Sequence, residues 1–401
     1  MKVLVINAGS SSLKYQLINM ENEQVIAKGN CEKIGIGGFI THKTADGRII
    51  EQKEEFPTHA EAFMKLTEVL TSGDGKVIES MKEIVAVGHR IVQGAERFTE
   101  SVLVTDSVVD TIEEIAELAP LHNYAHVLAI RACQKVLGKE IPEVVVFDTA
   151  FHQTMPEKAY MFGIPYEYYE KYHIRRYGFH GTSHRYVSRR LAKLLGKNPK
   201  ELKIITCHIG NGSSITAVDG GRSVDTSMGF TPLGGILMGT RSGSLDPSVV
   251  TYIAEKENLS GKQLSELLNK QSGYLGISGV TSDDRDMRAA AASGNKRAQL
   301  ALTMVRYQIK KYIGSYAAAM GGLDAVAFTG GIGENSIELR REVCDNMEFL
   351  GIKIDEHSNV EYSGKEHDIS ADGARVRTWI VPTNEELTIA RDTVEIINKI
   401  R

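Results

Sequence analysis

Val3-Leu4-Val5-Ile6, then Asn7-Ala8-Gly9-Ser10-Ser11-Ser12, then Leu13-Lys14-Tyr15-Gln16-Leu17: a short apolar strand, a small polar turn and an alternating stretch. That order predicts a β-hairpin with a polar tip. The pattern returns two hundred residues later. Lys203 to Cys207 is apolar, His208-Ile209-Gly210-Asn211-Gly212-Ser213-Ser214 is the small turn, and Ile215 to Val218 resumes the strand. A single Gly/Ser turn ordinarily does no more than close a hairpin. Two of the same shape point to a duplicated unit, hence to two related α/β domains, each able to offer turn N–H groups to a phosphate.

Other segments fit that architecture. A chain of 401 residues exceeds what one hydrophobic core usually organises. The expected division is 1–150 plus 385–401 as an N-terminal domain onto which the last helix docks back, and 151–384 as a C-terminal nucleotide-binding domain. Ile141 to Phe147 reads as a buried strand ending in Asp148-Thr149-Ala150-Phe151-His152-Gln153, close to that boundary. Leu302, Val305, Ile309, Tyr312 and Tyr316 recur at steps of three and four, the mark of an amphipathic helix. Strand Ala325 to Phe328 then runs into Thr329-Gly330-Gly331-Ile332-Gly333-Glu334-Asn335-Ser336 and a further helical pattern, so turn amides can approach a ligand closely. Leu387, Arg391, Val394 and Ile397 are helical in period, and Thr383 to Glu386 has the spacing of a capping box with Thr383 as N-cap.

Charge and cysteine usage exclude several classes. With 47 basic and 51 acidic side chains, the formal charge of -4 supplies no general attraction to nucleic acid or an anionic membrane. The basic cluster Arg175, Arg176, Arg185, Arg189 and Arg190 reads as a solvated helix face. The first apolar run is far shorter than a signal core or a membrane span. Cys31, Cys133, Cys207 and Cys344 are scattered without a Cys-x-x-Cys pair, which suits reduced thiols of a cytoplasmic protein better than disulfides or zinc. His122 and His126, like His180 and His184, are four apart but lack the Glu of a zincin motif, so metal ligation is not expected of them. No P-loop ending and no dinucleotide fingerprint accompanies the glycine-rich turns.

Long motifs supply the sharper reading. Asn7-Ala8-Gly9-Ser10-Ser11-Ser12-Leu13-Lys14, Arg176-Tyr177-Gly178-Phe179-His180-Gly181-Thr182-Ser183-His184 and Met238-Gly239-Thr240-Arg241-Ser242-Gly243 resemble the acetate kinase family, as do Phe328 to Ser336 and Thr383-Asn384-Glu385-Glu386. The likeness runs from the first strand to the last helix. It implies the sugar kinase, Hsp70 and actin type of fold, of the ribonuclease H-like kind, with the active site in the interdomain cleft. The implied reaction is reversible phosphoryl transfer between ATP and acetate. By that resemblance Asn7 and Glu385 help to hold Mg²⁺, for which Mn²⁺ is the alternative, and Arg90 binds the substrate carboxylate. Asp148, His180 and Arg241 form the catalytic group. The nucleotide lies near Lys14 and along His208, Ile209, Gly210, Asn211 and Gly212, Asp283, Asp284 and Arg285, and Gly331, Ile332, Gly333, Glu334 and Asn335. Val92, Leu121, Phe179 and Pro232 match the family's apolar pocket for the methyl group, and a homodimer is implied. Gln93, Ala95, Tyr124, His126, Gly234 and Ser244 depart from the usual pattern without touching a proposed catalytic position.

Elementary chemistry agrees with these roles. Phosphoryl transfer needs in-line positioning and positive charge more than covalent help from the protein. Arg241 and His180 can supply that charge, and Arg90 can grip a planar carboxylate with two parallel hydrogen bonds. A carboxylic acid with a pKa of about 4 to 5 is already ionised at neutral pH, so the nucleophile needs no general base. Asp148 is therefore expected to orient Arg241 or a metal-bound water instead of moving a proton. Mg²⁺ keeps several waters, so a sparse site of Asn7 and Glu385 suffices. Two alternatives stand beside this reading: a non-catalytic ATPase module of the chaperone or actin class, and a propionate or butyrate kinase with the same catalytic groups and a different pocket.

Overall fold

The computed structural model describes residues 1–120 and 122–400. They fall into two compact units, Met1–Phe151 with Asn384–Arg401, and His152–Thr383. Each is built around one sheet. Among the described residues no helix is long and apolar enough to cross a membrane.

The first unit carries strands β1 (Lys2–Ala8), β2 (Ser12–Asn19), β3 (Gln24–Glu32), β4 (Phe39–Thr44), β5 (Ile49–Lys53), β6 (Ile84–Ile91), β7 (Val102–Leu103) and β8 (Glu143–Phe147). Their order in the sheet is β5-β4-β3-β2-β1-β6-β8-β7. β1 is apolar on both faces because both are covered. Leu4 and Ile6 join a core with the helices His59–Thr71 and Asn123–Leu137, while Val3 and Val5 pack with Ile389 and Ala390 of the last helix, Glu385–Ile400. That helix lies so close to β6 that a Cβ on Gly88 would stand 2.5 Å from Thr393 Oγ1, two residues before Arg90. Any larger residue at position 88 would push the helix from the strand that carries Arg90.

The second unit carries β9 (Lys203–Ile209), β10 (Ser213–Asp219), β11 (Arg222–Thr226), β12 (Ala325–Thr329), β13 (His367–Asp368) and β14 (Arg377–Ile380), in the order β11-β10-β9-β12-β14-β13. The long helix Lys296–Met320 buries Leu302, Val305, Ile309, Ile313 and Tyr316 against Ile205, Cys207, Ile215 and Phe328 of this sheet. The duplication extends beyond the hairpins. In β3-β2-β1-β6-β8 and in β11-β10-β9-β12-β14 the first two pairings are antiparallel and the last two parallel. Both hairpins therefore project from the same position in the same five-strand pattern.

Three local expectations are corrected. The hairpin turns are tighter than the sequence suggests, because pairing continues through Asn7↔Lys14 and Ala8↔Leu13, and through His208↔Ser214 and Ile209↔Ser213. Asn7, His208 and Ile209 are thus strand residues whose backbones are held by a ladder. The last helix is capped by Asn384, whose Oδ1 accepts from Leu387 N at 3.0 Å, and not by Thr383, whose hydroxyl is 2.8 Å from Ser183 Oγ. The basic cluster is not one solvated helix face. Arg175 is buried and stacks over Tyr160 at 3.6 Å, Arg176 hydrogen-bonds to the Thr226 carbonyl at 2.9 Å, and Arg190 pairs with Glu366.

Candidate active site

Arg90 organises the chemistry of the first unit. It stands near the carboxyl end of β6, whose parallel neighbour β8 ends just before Asp148, and the Asp148 N–H donates to the Ile91 carbonyl at 2.9 Å. Parallel pairing brings two strand ends together, the usual place for a site in such sheets. The Arg90 Nε and Nη2 donate to the two Asp148 oxygens at 3.0 and 2.6 Å, a bidentate pair. Nη1 faces Asn7 Oδ1 at 3.4 Å, and the Glu385 carboxylate lies 3.8 Å from Nε. Burial would weaken the guanidinium charge, but Asp148 and then Glu385 hold it above its ordinary pKa. Where the sequence suggested Arg241 or a metal-bound water as the group Asp148 orients, its partner is Arg90. Both terminal nitrogens thus have a partner, Nη2 at Asp148 and Nη1 at Asn7, and the side chain is still 20% exposed.

Three carboxylates, Asp148, Glu385 and Glu386, act on this one guanidinium. Burial pushes the Glu385 carboxyl up to about 7; Arg90 opposes the shift, and Asp148 and Glu386 add to it. A surplus of negative charge beside an amide oxygen is an all-oxygen, hard-donor set, and it fits a small divalent cation. Glu385 occupies the first turn of its helix, with its backbone fixed by the Asn384 cap. Asn7, Lys14 and Glu386 also line a cavity of about 250 Å³ along β1–β4, with Lys28, Asn30 and Lys43. Lys14 is exposed there, opposite Asn7 across the β1–β2 ladder.

Val92 follows β6 and is buried. Its neighbour Gln93 is locked to Asn123, which accepts from Gln93 N at 3.3 Å and donates to the Gln93 carbonyl at 2.9 Å. The backbone next to Val92 is thus tied to the start of the helix Asn123–Leu137. Leu121 lies outside the described residues.

In the second unit His180 stands in the left-handed region, φ 55° and ψ 24°, just before the helix Gly181–Leu194. A non-glycine residue pays about 1 to 3 kcal/mol for such a conformation, and such outliers gather at functional sites. The strain is held by side chains. His152 Nε2 lies 2.9 Å from the Phe179 carbonyl, His180 Nδ1 lies 2.8 Å from Ser214 Oγ, and the His180 ring stacks on His208 with centroids 4.3 Å apart. The same Ser214 hydroxyl meets His184 Nε2 at 2.7 Å, and burial keeps His184 well below its ordinary pKa. His208 Nδ1 in turn meets Ser183 Oγ at 2.8 Å. His152, Ser183, His184 and Ser214 were not singled out for the site by the sequence reading. The only signal for Ser214 was its place in the second hairpin turn.

Arg241 has the opposite character to Arg90. Its Nη1 donates to the Pro232 carbonyl at 3.2 Å and approaches Met238 Sδ at 3.7 Å. Among the described residues it forms no ion pair, and burial lowers its pKa from the ordinary value. A Cβ on Gly212 would lie 3.4 Å from Arg241 Nη1 and 3.5 Å from His180 Nε2. The bare glycine thus lets the turn, the imidazole and the uncompensated guanidinium converge. Phe179 is buried and Pro232 half-buried.

The remaining nucleotide candidates lie on two further elements of this unit. Asp283 caps the helix Asp284–Ala292 and pairs with Arg285 at 3.0 Å, while Asp284 turns inward to Arg288 at 2.9 Å. Gly331, Ile332, Gly333, Glu334 and Asn335 form the short helix Gly330–Asn335 directly after β12. Buried Arg340 fastens that turn by donating to the Gly333 and Glu334 carbonyls at 2.9 and 2.7 Å.

The chain is similar to known proteins over nearly its whole length. The model of the acetokinase family matches residues 2–391. The acetate kinase of Desulfitobacterium hafniense (strain DSM 10664 / DCB-2) is 55% identical over 400 residues, covering 100% of both chains. The crystal structure of Porphyromonas gingivalis acetate kinase superimposes with a TM-score of 0.95 at 48% identity, covering 99% of each chain. That of a propionate kinase from Francisella tularensis subsp. tularensis SCHU S4 gives 0.91 at 41% identity, covering 98% of this chain and 99% of that one. The two-sheet α/β fold is that of these solved acetate and propionate kinases.

Proposed function

The chain belongs to the acetokinase family, and on that premise we propose that it carries out reversible transfer of a phosphoryl group between ATP and acetate, with acetyl phosphate and ADP as products. It is a kinase whose acceptor is a carboxylate. The observation that carries the reading is the contrast between two arginines. Arg90 is neutralised by Asp148 and remains partly exposed, which suits positioning of a carboxylate. Arg241 has no counter-ion among the described residues, which suits stabilisation of charge that develops during reaction.

In this reading Arg90 orients acetate, and an oxygen of the ionised carboxylate attacks the γ-phosphorus in line with the departing ADP oxygen. One P–O bond forms as the other breaks, and no proton moves. Arg241 and His180 face the transferring group, His180 being fixed by Ser214, and Asp148 serves by holding Arg90 in place. The turn Gly210–Gly212 and the segment Gly331–Asn335 bind the nucleotide through backbone N–H groups. Asn7 and Glu385 would hold Mg²⁺, whose contribution when bound is to neutralise phosphate charge. A cytoplasmic homodimer accompanies this reading; sedimentation equilibrium giving a monomer would remove the dimer from it.

Hydroxylamine trapping tests the reaction. With ATP and acetate the protein should accumulate acetohydroxamate. ATP hydrolysis without any hydroxamate, from acetate, propionate or butyrate, would instead indicate a non-catalytic ATPase of the same fold.

Acid size is set by Val92, whose backbone neighbour is pinned by Asn123. An extra methylene would gain about 0.8 kcal/mol if there were room, but costs roughly 1 to 3 kcal/mol when forced into a filled pocket. Acetate should therefore be preferred over propionate by about tenfold or more in kcat/KM. Val92→Ala removes two carbons from the wall and should level or invert that preference. An unchanged acetate-to-propionate ratio would mean that the acid's alkyl end does not meet Val92.

A further inference from the structure

One cluster in the first unit takes no part in the reaction just described. His89 on β6, Glu143 at the start of β8 and Cys133 in the last turn of the helix Asn123–Leu137 are 2%, 5% and 0% exposed. The His89 Nε2 lies 2.6 Å from Glu143 Oε2, and the three potential ligand atoms all lie within 4.8 Å of one another. We propose that His89, Cys133 and Glu143 form a buried three-ligand site for one zinc-class transition-metal ion, separate from the Mg²⁺ site.

The donor set argues for that class of ion. One imidazole nitrogen, one sulfur and one carboxylate oxygen are the ligand types of Zn²⁺ and Co²⁺, whereas Mg²⁺ and Ca²⁺ select oxygen alone. Charge decides as well. A thiolate and a carboxylate cancel a divalent ion, so the occupied site is neutral and needs no further counter-ion in a low-dielectric core. Three elements supply one ligand each, so the ion would tie together β6, β8 and the helix beside them. A cavity of about 190 Å³ lined by Gln134, Glu140 and Glu143 lies beside the cluster on the Glu143 side, with His89 and Cys133 behind its wall. An ion would therefore enter by a local opening on that side, with water as the fourth ligand of a tetrahedral site.

Binding is balanced without a redox partner. The thiol proton leaves to solvent as the metal–sulfur bond forms, and the imidazole proton moves from Nε2 to Nδ1 so that Nε2 can ligate. Burial holds the Cys133 thiol protonated, so the ion itself must displace the proton. The His89 and Glu143 atoms must part from 2.6 Å to roughly 3.3 Å, the edge of a tetrahedron with metal–ligand bonds of about 2.0 Å.

The test uses the full chain, stripped of metal by a chelator, desalted, and kept in excess Mg²⁺ to occupy the oxygen site. Co²⁺ should bind with one equivalent per chain and produce a sulfur-to-cobalt charge-transfer band in the near ultraviolet. Cys133→Ala should lose the band, and Glu143→Gln should weaken Co²⁺ binding by roughly tenfold or more. Zn²⁺ should raise Tm in the wild type and not in Cys133→Ala. Absence of the band in the wild-type protein would overturn the proposal whatever the variants do. So would a band that persists in Cys133→Ala, since another thiol would then be the ligand.

Discussion

Arg241→Ala is expected to lower kcat by at least 10³-fold, on the scale that arginine side chains contribute in phosphoryl-transfer enzymes, about 10³ to 10⁵. Arg241 is held by a carbonyl and a thioether, at Pro232 and Met238, and neither neutralises it. A guanidinium in that state has its full charge to give to a transition state. Because the contribution is made chiefly when charge develops, KM for acetate should change by only a few-fold. Arg241→Lys should recover little, since an ammonium cannot keep the Pro232 contact and also present a planar fork to phosphate oxygens. Steady-state kinetics with both substrates varied would check this. A kcat within tenfold of wild type would remove Arg241 from the catalytic group.

Arg90→Ala should act on the other substrate. Truncating one partner of a buried, hydrogen-bonded charge pair costs about 2 to 5 kcal/mol, roughly 30-fold to several-thousand-fold in kcat/KM for acetate. Two losses are combined: the carboxylate loses its anchor, and Asp148, only 1% exposed, loses the cation that satisfies both of its oxygens. ATP binding measured alone should survive, because the nucleotide candidates of the Gly210–Gly212 and Gly331–Asn335 segments belong to the other unit. A double-mutant cycle separates the two losses. If Asp148 works by holding Arg90, Asp148→Asn should add little to Arg90→Ala. Additive effects would give Asp148 a role of its own, and unchanged acetate kinetics in Arg90→Ala would take the anchor away altogether.

Much of this was open to reading along the chain. Strand, polar turn and strand are local patterns, and so is the three-and-four spacing of Leu302, Val305, Ile309 and Tyr316; each depends only on which residues follow one another. The repeat of the first hairpin at Lys203–Val218 implied a duplicated sheet, and the pairings of both sheets have that form. The absence of any need for a general base likewise follows from the acid alone. The candidate residues could be named from motifs, but not their partners. Arg90 and Asp148 meet because β6 and β8 run parallel side by side, 58 residues apart in sequence. Ser214 holds both His180 and His184 because β10 pairs with β9 beside the helix Gly181–Leu194. Thr383 looked like a helix cap until Ser183, 200 residues away, claimed its hydroxyl, leaving Asn384 to do the capping. Scattered cysteines argued against a zinc site for the same reason that they fail to exclude one: spacing along the chain reports only ligands that neighbour each other in sequence, whereas His89, Cys133 and Glu143 become neighbours when two parallel strands and a helix close on one core. Sequence determines which local elements form, because their hydrogen bonds and buried faces repeat within a few residues. Side-chain partnership across elements is decided only once strand order and register are set, because that is when distant polar groups lose water together and must satisfy one another.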